Sequence, residues 1–185
     1  EVQCGVGYGA VEYRQRFAST KRPTKWHAQF RFAADSLREA DALPLVTHFV
    51  QEHQGLQRHR ERIFVILSEL YTNALDHGLL GLQSSLKDAP EGLMHYLDER
   101  ERRLASLDDG EIAILIDNVA SQDGIGGRLT IRVTDSGPGF DVNTVAAPVP
   151  VDALHGRGLQ LVESLATSLR FNAAGNEAQA EYTWS

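Results

Sequence analysis

The sequence predicts a two-layer α/β sandwich, in which a mostly antiparallel five-stranded sheet is covered on one face by helices. Two observations lead there. Five short runs alternate apolar and polar residues, so each strand buries one face only. Between them lie longer segments with apolar residues at helical spacing, which supply the cover.

Residues 1–24 show little period: Cys4-Gly5-Val6-Gly7-Tyr8-Gly9 is glycine-rich and Thr20-Lys21-Arg22-Pro23 reads as a loop. They are expected to form a linker or tail, with a short packed edge strand as the alternative. The domain proper is expected over 25–185. From Lys25, the residues Trp26, Ala28, Phe30 and Phe32 share one face of a strand. Asp35 and Ser36 are candidate caps for the next helix. That helix is expected over about 42–54, with Pro44 in its first turn and Gly55 at its end.

A second helix spans about 57–80, and a third, about 91–107, carries a thin apolar seam of Leu93, Met94, Leu97, Leu104 and Leu107. This third helix is expected to be a solvated surface helix; the alternative is a partner-docking element. Ile112, Ile114 and Ile116 define one strand. Leu129, Ile131, Val133 and then Asp135 define the next, after a hairpin signal at Gln122 to Gly127. A helix from Gly158 to Thr167 precedes two last strands, marked by Leu169, Phe171 and Ala173 and by Ala180, Tyr182 and Trp184, with a turn at Gly175-Asn176.

The bulk numbers narrow the function. A net charge of −7 argues against binding nucleic acid by general electrostatics. The single cysteine, Cys4, rules out an internal disulfide and fits a reducing, cytoplasmic setting. No apolar run approaches the ~20 residues of a membrane helix. The chain does not open on Met and is expected to be part of a longer protein.

Three stretches carry chemistry. In Ser68-Glu69-Leu70-Tyr71-Thr72-Asn73-Ala74-Leu75-Asp76-His77-Gly78, regular α-helical winding places Glu69, Asn73, Asp76 and His77 in one polar stripe beside an apolar one. Asn73 offers a hard amide oxygen suited to Mg²⁺. Glu69, one turn earlier, is placed to act as a general base near a γ-phosphate. A solvated helix edge is the alternative for that pair.

Asp135 points by parity to the covered face, where a carboxylate is costly unless hydrogen-bonded. It is followed by Gly137 and Gly139, which let a flat ligand approach the backbone. Accepting a hydrogen bond from the exocyclic amine of adenine accounts for both features; an Asx-turn closing the strand is the alternative. Finally, His155-Gly156-Arg157-Gly158 opens a helix, where free N–H groups and Arg157 favour phosphate. Here a flexible loop is the alternative. No metal-protease, nucleophile-elbow or Walker pattern occurs.

Together and in order, these stretches resemble the nucleotide-binding boxes of the GHKL (Bergerat-fold) ATP-binding superfamily. S-E-L-Y-T-N-A-L-D-H-G with H-G-R-G-L is similar to the anti-sigma-factor serine/threonine kinases. N-A-L-D-H-G-L-L, D-S-G-P-G-F-D and G-N-E-A-Q-A-E-Y-T-W resemble kinase-like domains found behind receiver and PP2C-type phosphatase domains. The resemblance implies ATP and Mg²⁺ as ligands, Glu69 as general base and Asn73 as metal ligand. It gives Asp135 the adenine, with Gly137 and Gly139 shaping the pocket and Gly156, Arg157 and Gly158 forming the phosphate loop. Asp76 and His77 fall within the ATP-binding stretch, and residues 141–154 would be the lid.

The implied activity is phosphorylation of a STAS-type anti-sigma-factor antagonist in partner switching. A sigma factor, an anti-sigma factor and a second copy of the chain are further candidate partners; nucleic acid and membrane are not. The competing expectations are a nucleotide-binding docking module without turnover and a histidine kinase catalytic domain. Gly175-Asn176 stands where many relatives have Gly-Thr.

Overall fold

A computed structural model describes residues 2–3, 14–15, 25–52, 55–88, 91–121, 125–140 and 157–185. Residues 122–124, the start of the expected hairpin turn, lie outside that range. Two short strands, β1 (Val2–Gln3) and β2 (Arg14–Gln15), pair antiparallel in a sheet of their own. The main sheet has five strands: β3 (Lys25–Ala33), β4 (Glu111–Ala120), β5 (Gly127–Asp135), β6 (Ser168–Phe171) and β7 (Glu177–Trp184). Their order is β3-β4-β5-β7-β6, and every pairing is antiparallel.

The alternation holds in the packing. Trp26, Ala28, Phe30 and Phe32 are buried, as are Ile112, Ile114 and Ile116 opposite them. On β5, Leu129, Ile131 and Val133 lead to Asp135, which keeps the same face and is only 8% exposed. The expected two-layer α/β sandwich is the architecture found.

The helices are α1 (Ala34–Glu39), α2 (Ala42–Gln51), α3 (Arg60–Thr72), α4 (Gly92–Ala105) and α5 (Gly158–Leu165). Ile63, Ile66, Leu67 and Leu70 of α3 are at most 1% exposed and belong to the same core as the sheet's inner face. Each such aliphatic side chain contributes about 1.5–3 kcal/mol on burial, so this layer contact dominates the fold. Among the described residues no helix is long and apolar enough to cross a membrane.

Three expectations need correction. Asp35 and Ser36 lie inside α1 rather than capping the next helix; Asp41 caps α2, its side chain accepting from the Leu43 N–H at 3.0 Å. The helix expected to run regularly to residue 80 does not. After a 3₁₀ turn at Gln57–His59 and the α-helical α3, it winds as a π-helix over Asn73–Leu79. And α4 is not solvated all round: Leu93, Met94 and Leu97 are exposed, as a surface helix requires, but Leu104 and Leu107 pack half-buried on the core and Tyr96 is 3% exposed. The inward face of α4 carries Tyr96, Arg100 and Arg103, at helical spacing i, i+4, i+7, because polar groups beneath it need donors.

Candidate functional site

The site lies where α3 and its π-wound continuation cross the end of β5. The backbone sets its geometry. At the C-terminus of α3 the Asn73 N–H donates back to the Glu69 and Leu70 carbonyls. Beyond it the bonds lengthen in sequence: Leu80 N–H reaches the Leu75 carbonyl at 2.9 Å. That i→i+5 winding turns each residue through less than the ~100° of an α-helix. Four residues after Asn73, His77 therefore returns nearly into line with it. Asp76, three residues after, falls short and faces α4. The single stripe of four polar side chains is thus split by the change of winding.

A cavity of about 250 Å³ opens beside this turn. That is near the lower end of the ~300–1,000 Å³ typical of small-molecule sites. Asn73, His77 and Gly78 line one side; Val133, Asp135, Gly139, Phe140 and Leu159 line others, and Phe171, Gly175, Asn176 and Glu177 complete the wall. Phe140 and Phe171 meet edge to face with centroids 5.4 Å apart. They give the cavity an aromatic floor of the kind a flat heterocycle packs on.

Asp135 sits at the inner end. Burial raises its carboxyl pKa above the ordinary aspartate range, opposed by the Gly137 N–H, which donates to Oδ1 at 2.8 Å. No cationic side chain is among its hydrogen-bond or ion-pair partners in the described structure, which leaves the carboxylate able to accept from a ligand's donor, such as an exocyclic amine. Asn176 braces its backbone from both sides. The Asn176 side-chain amide donates to the Asp135 carbonyl at 3.0 Å, and the Asp135 N–H donates to the Asn176 carbonyl at 2.9 Å. Asn172 Nδ2 in turn donates to Asn176 Oδ1 at 2.8 Å.

Asn73 lines the same cavity, and Glu69 lies one turn before it on α3, outside the cavity lining. The amide nitrogen of Asn73 is buried without a hydrogen-bond partner among the described residues. A buried orphan donor costs about 1–3 kcal/mol, and a phosphate oxygen arriving from the cavity would satisfy it. The Glu69 carboxylate packs directly on Gly158, at the first turn of α5; a Cβ there would collide with Glu69 Oε2. Among the described residues no three His, Cys, Asp or Glu side chains cluster to cage a metal. A cation here would use the Asn73 oxygen together with oxygens of a nucleotide, and the donor set fits Mg²⁺ of that kind.

The structure therefore gathers Asn73, His77, Asp135 and Gly139 around one cavity, with Gly137 bonded to the Asp135 carboxylate. It brings Glu69 against Gly158, and Arg157 immediately precedes α5. Asp76 stands apart, engaged by α4. His77 also lies against the loop beyond the π turn, Nδ1 to the Leu82 carbonyl at 2.5 Å and Nε2 to Ser84 Oγ at 3.3 Å. Gly156, His155 and residues 141–154, the expected lid, lie outside the described residues. Phe140, Phe171 and Glu177 line the cavity although none of them carries a binding role predicted from sequence: Phe140 and Glu177 fall within the stretches that carry the resemblance, and Phe171 within a strand.

Comparison with curated proteins found no significant match. A sequence model of the histidine kinase-like ATPase domain matches residues 32–181, which includes Glu69, Asn73, Asp135 and the start of α5. With that match spanning most of the chain, the chain belongs to the histidine kinase-like ATPase domain family, a GHKL-type ATP-binding domain.

Proposed function

We propose that this domain is an ATP- and Mg²⁺-dependent serine/threonine protein kinase. The observation that carries it is the pairing, across one cavity, of a buried carboxylate suited to adenine with an orphan amide at Asn73 suited to phosphate. Asp135 accepts from the exocyclic amine, and Phe140 and Phe171 pack on the ring. The first turn of α5, with Gly158 and Arg157, receives the phosphates. When bound, Mg²⁺ neutralises charge on the β- and γ-phosphates. Asn73 holds it. Glu69 takes the proton from a serine or threonine hydroxyl as its oxygen bonds to the γ-phosphorus, while the bond to the bridging oxygen breaks and ADP leaves.

The similarity of S-E-L-Y-T-N-A-L-D-H-G to anti-sigma-factor kinases supports a STAS-type antagonist as substrate, with a sigma or anti-sigma factor as the switched partner. The test is incubation with labelled ATP, Mg²⁺ and candidate STAS proteins, followed by mapping of the modified residue. Acid-stable phosphoserine or phosphothreonine supports the proposal. Acid-labile phosphohistidine would make the domain a histidine kinase instead, and tight ATP binding without transfer would make it a docking module.

A further inference from the structure

Asp76 lies between Asn73 and His77 in sequence, yet its carboxylate takes no part in the cavity. It is 2% exposed and committed to α4. The Tyr96 hydroxyl donates to Oδ2 at 2.7 Å, and Arg100 Nε donates to Oδ1 at 2.7 Å. One turn on, Arg103 Nη1 donates to the carbonyls of Leu80 and Gly81 at 2.7 and 2.9 Å. Three donors on one face of α4 thus meet the π-wound turn and the residues that end it. The ammonium of Lys87 sits 3.9 Å from the centre of the Tyr96 ring.

A π turn is rare and is found mostly at functional sites. Asp76 can be buried as an anion only because Arg100 and Tyr96 answer it. A phenol is protonated at neutral pH in any case, so Tyr96 is the donor to Asp76; burial and that bond push its pKa higher still. The turn held this way presents Asn73 and His77 to the cavity and lays Gly78 against Asp135.

We propose that Tyr96 and Arg100 are positioning residues: through Asp76 they hold the π-wound turn and so fix Asn73 at the phosphate end of the site. On this inference, which rests on the ATP reading above, α4 is part of the nucleotide site without touching nucleotide. The exposed residues of α4 are then free to vary, while its inward face is not.

The test uses the whole chain with Tyr96→Phe, and separately Arg100→Gln. Losing a direct hydrogen-bond partner of a metal ligand typically costs about 10–100-fold in metal affinity, and support that reaches Asn73 only through the turn falls at the low end of that range. The Mg²⁺ concentration that half-saturates ATP binding should therefore rise about tenfold, while affinity for Mg²⁺-free ATP stays within about twofold. Hydrogen exchange should quicken at amides 74–82 and stay unchanged in the sheet. Unchanged Mg²⁺ dependence in both variants overturns the latch, as does exchange that quickens equally across the domain, which marks a general loss of stability. A wild-type chain that binds no ATP overturns the ATP reading instead; the exchange pattern then still decides whether α4 holds the turn.

Discussion

Gly78 packs face-on against the Asp135 carboxylate: a Cβ built on Gly78 would stand 2.5 Å from both Cγ and Oδ1 of Asp135. The π-wound turn and the end of β5 therefore meet at a glycine, with no room for a methyl group. Gly78→Ala must displace Asp135 or push the turn outward. Overpacking of this kind costs about 1–3 kcal/mol, so a denaturant midpoint should fall and ATP affinity should fall with it. An alanine variant as stable and as tightly bound as wild type would contradict this contact.

The raised pKa of Asp135 gives a pH signature. Burial is the larger cause, and it favours the protonated form. In the free protein this group therefore destabilises the fold as pH rises from the ordinary aspartate value, 3.8, through the raised folded value. Nucleotide binding has the opposite sense, because an amine donor prefers the carboxylate. ATP affinity should weaken as pH falls, beginning above 3.8, and Asp135→Asn should remove that step. Calorimetric titrations at a series of mildly acidic pH values check both statements.

Glu69 is argued to accept a proton, not to bind. Glu69→Gln keeps its size and its place against Gly158. Transfer should fall by about 10²–10⁴-fold, the range for loss of a general base, with ATP affinity changed only a few-fold. A single-turnover assay beside a binding titration separates the two, and full activity in the variant would remove the assignment.

Asn176 braces the Asp135 backbone and is itself held by Asn172. Asn176→Ala should cost roughly 1–3 kcal/mol of stability by stranding these partners. It should also loosen ATP binding, although Asn176 needs no direct contact with the nucleotide. Thermal unfolding with and without ATP measures both.

Much of this site is readable in the residues because strands have a period of two. Parity with Leu129, Ile131 and Val133 puts Asp135 on the buried face, and it lies there at 8% exposure. Asp76 escapes such reasoning. Placing all four polar residues in one stripe assumes α-helical winding, and the switch to a π-helix at Asn73 is stabilised by Tyr96, Arg100 and Arg103, twenty or more residues away.

The face of α4 is misjudged on similar grounds. Counting apolar residues gives Leu93, Met94 and Leu97 the same weight as Leu104 and Leu107, yet only the last two pack on the core, and the inward face is otherwise set by an anion and carbonyls that need donors. The aromatic floor joins Phe140 to Phe171, which no local pattern connects.

The central claim is that one cavity binds the adenine end of ATP at Asp135 and its Mg²⁺-bearing phosphate end at Asn73. Titration calorimetry of ATP into wild type and Asp135→Asn, each with and without Mg²⁺, tests it most directly. The account predicts ATP binding that Mg²⁺ strengthens in wild type. In the variant it predicts binding weaker by about 10–100-fold, the loss of one hydrogen bond to a charged group. Absence of ATP binding to wild type, or equal affinity in the variant, would contradict it.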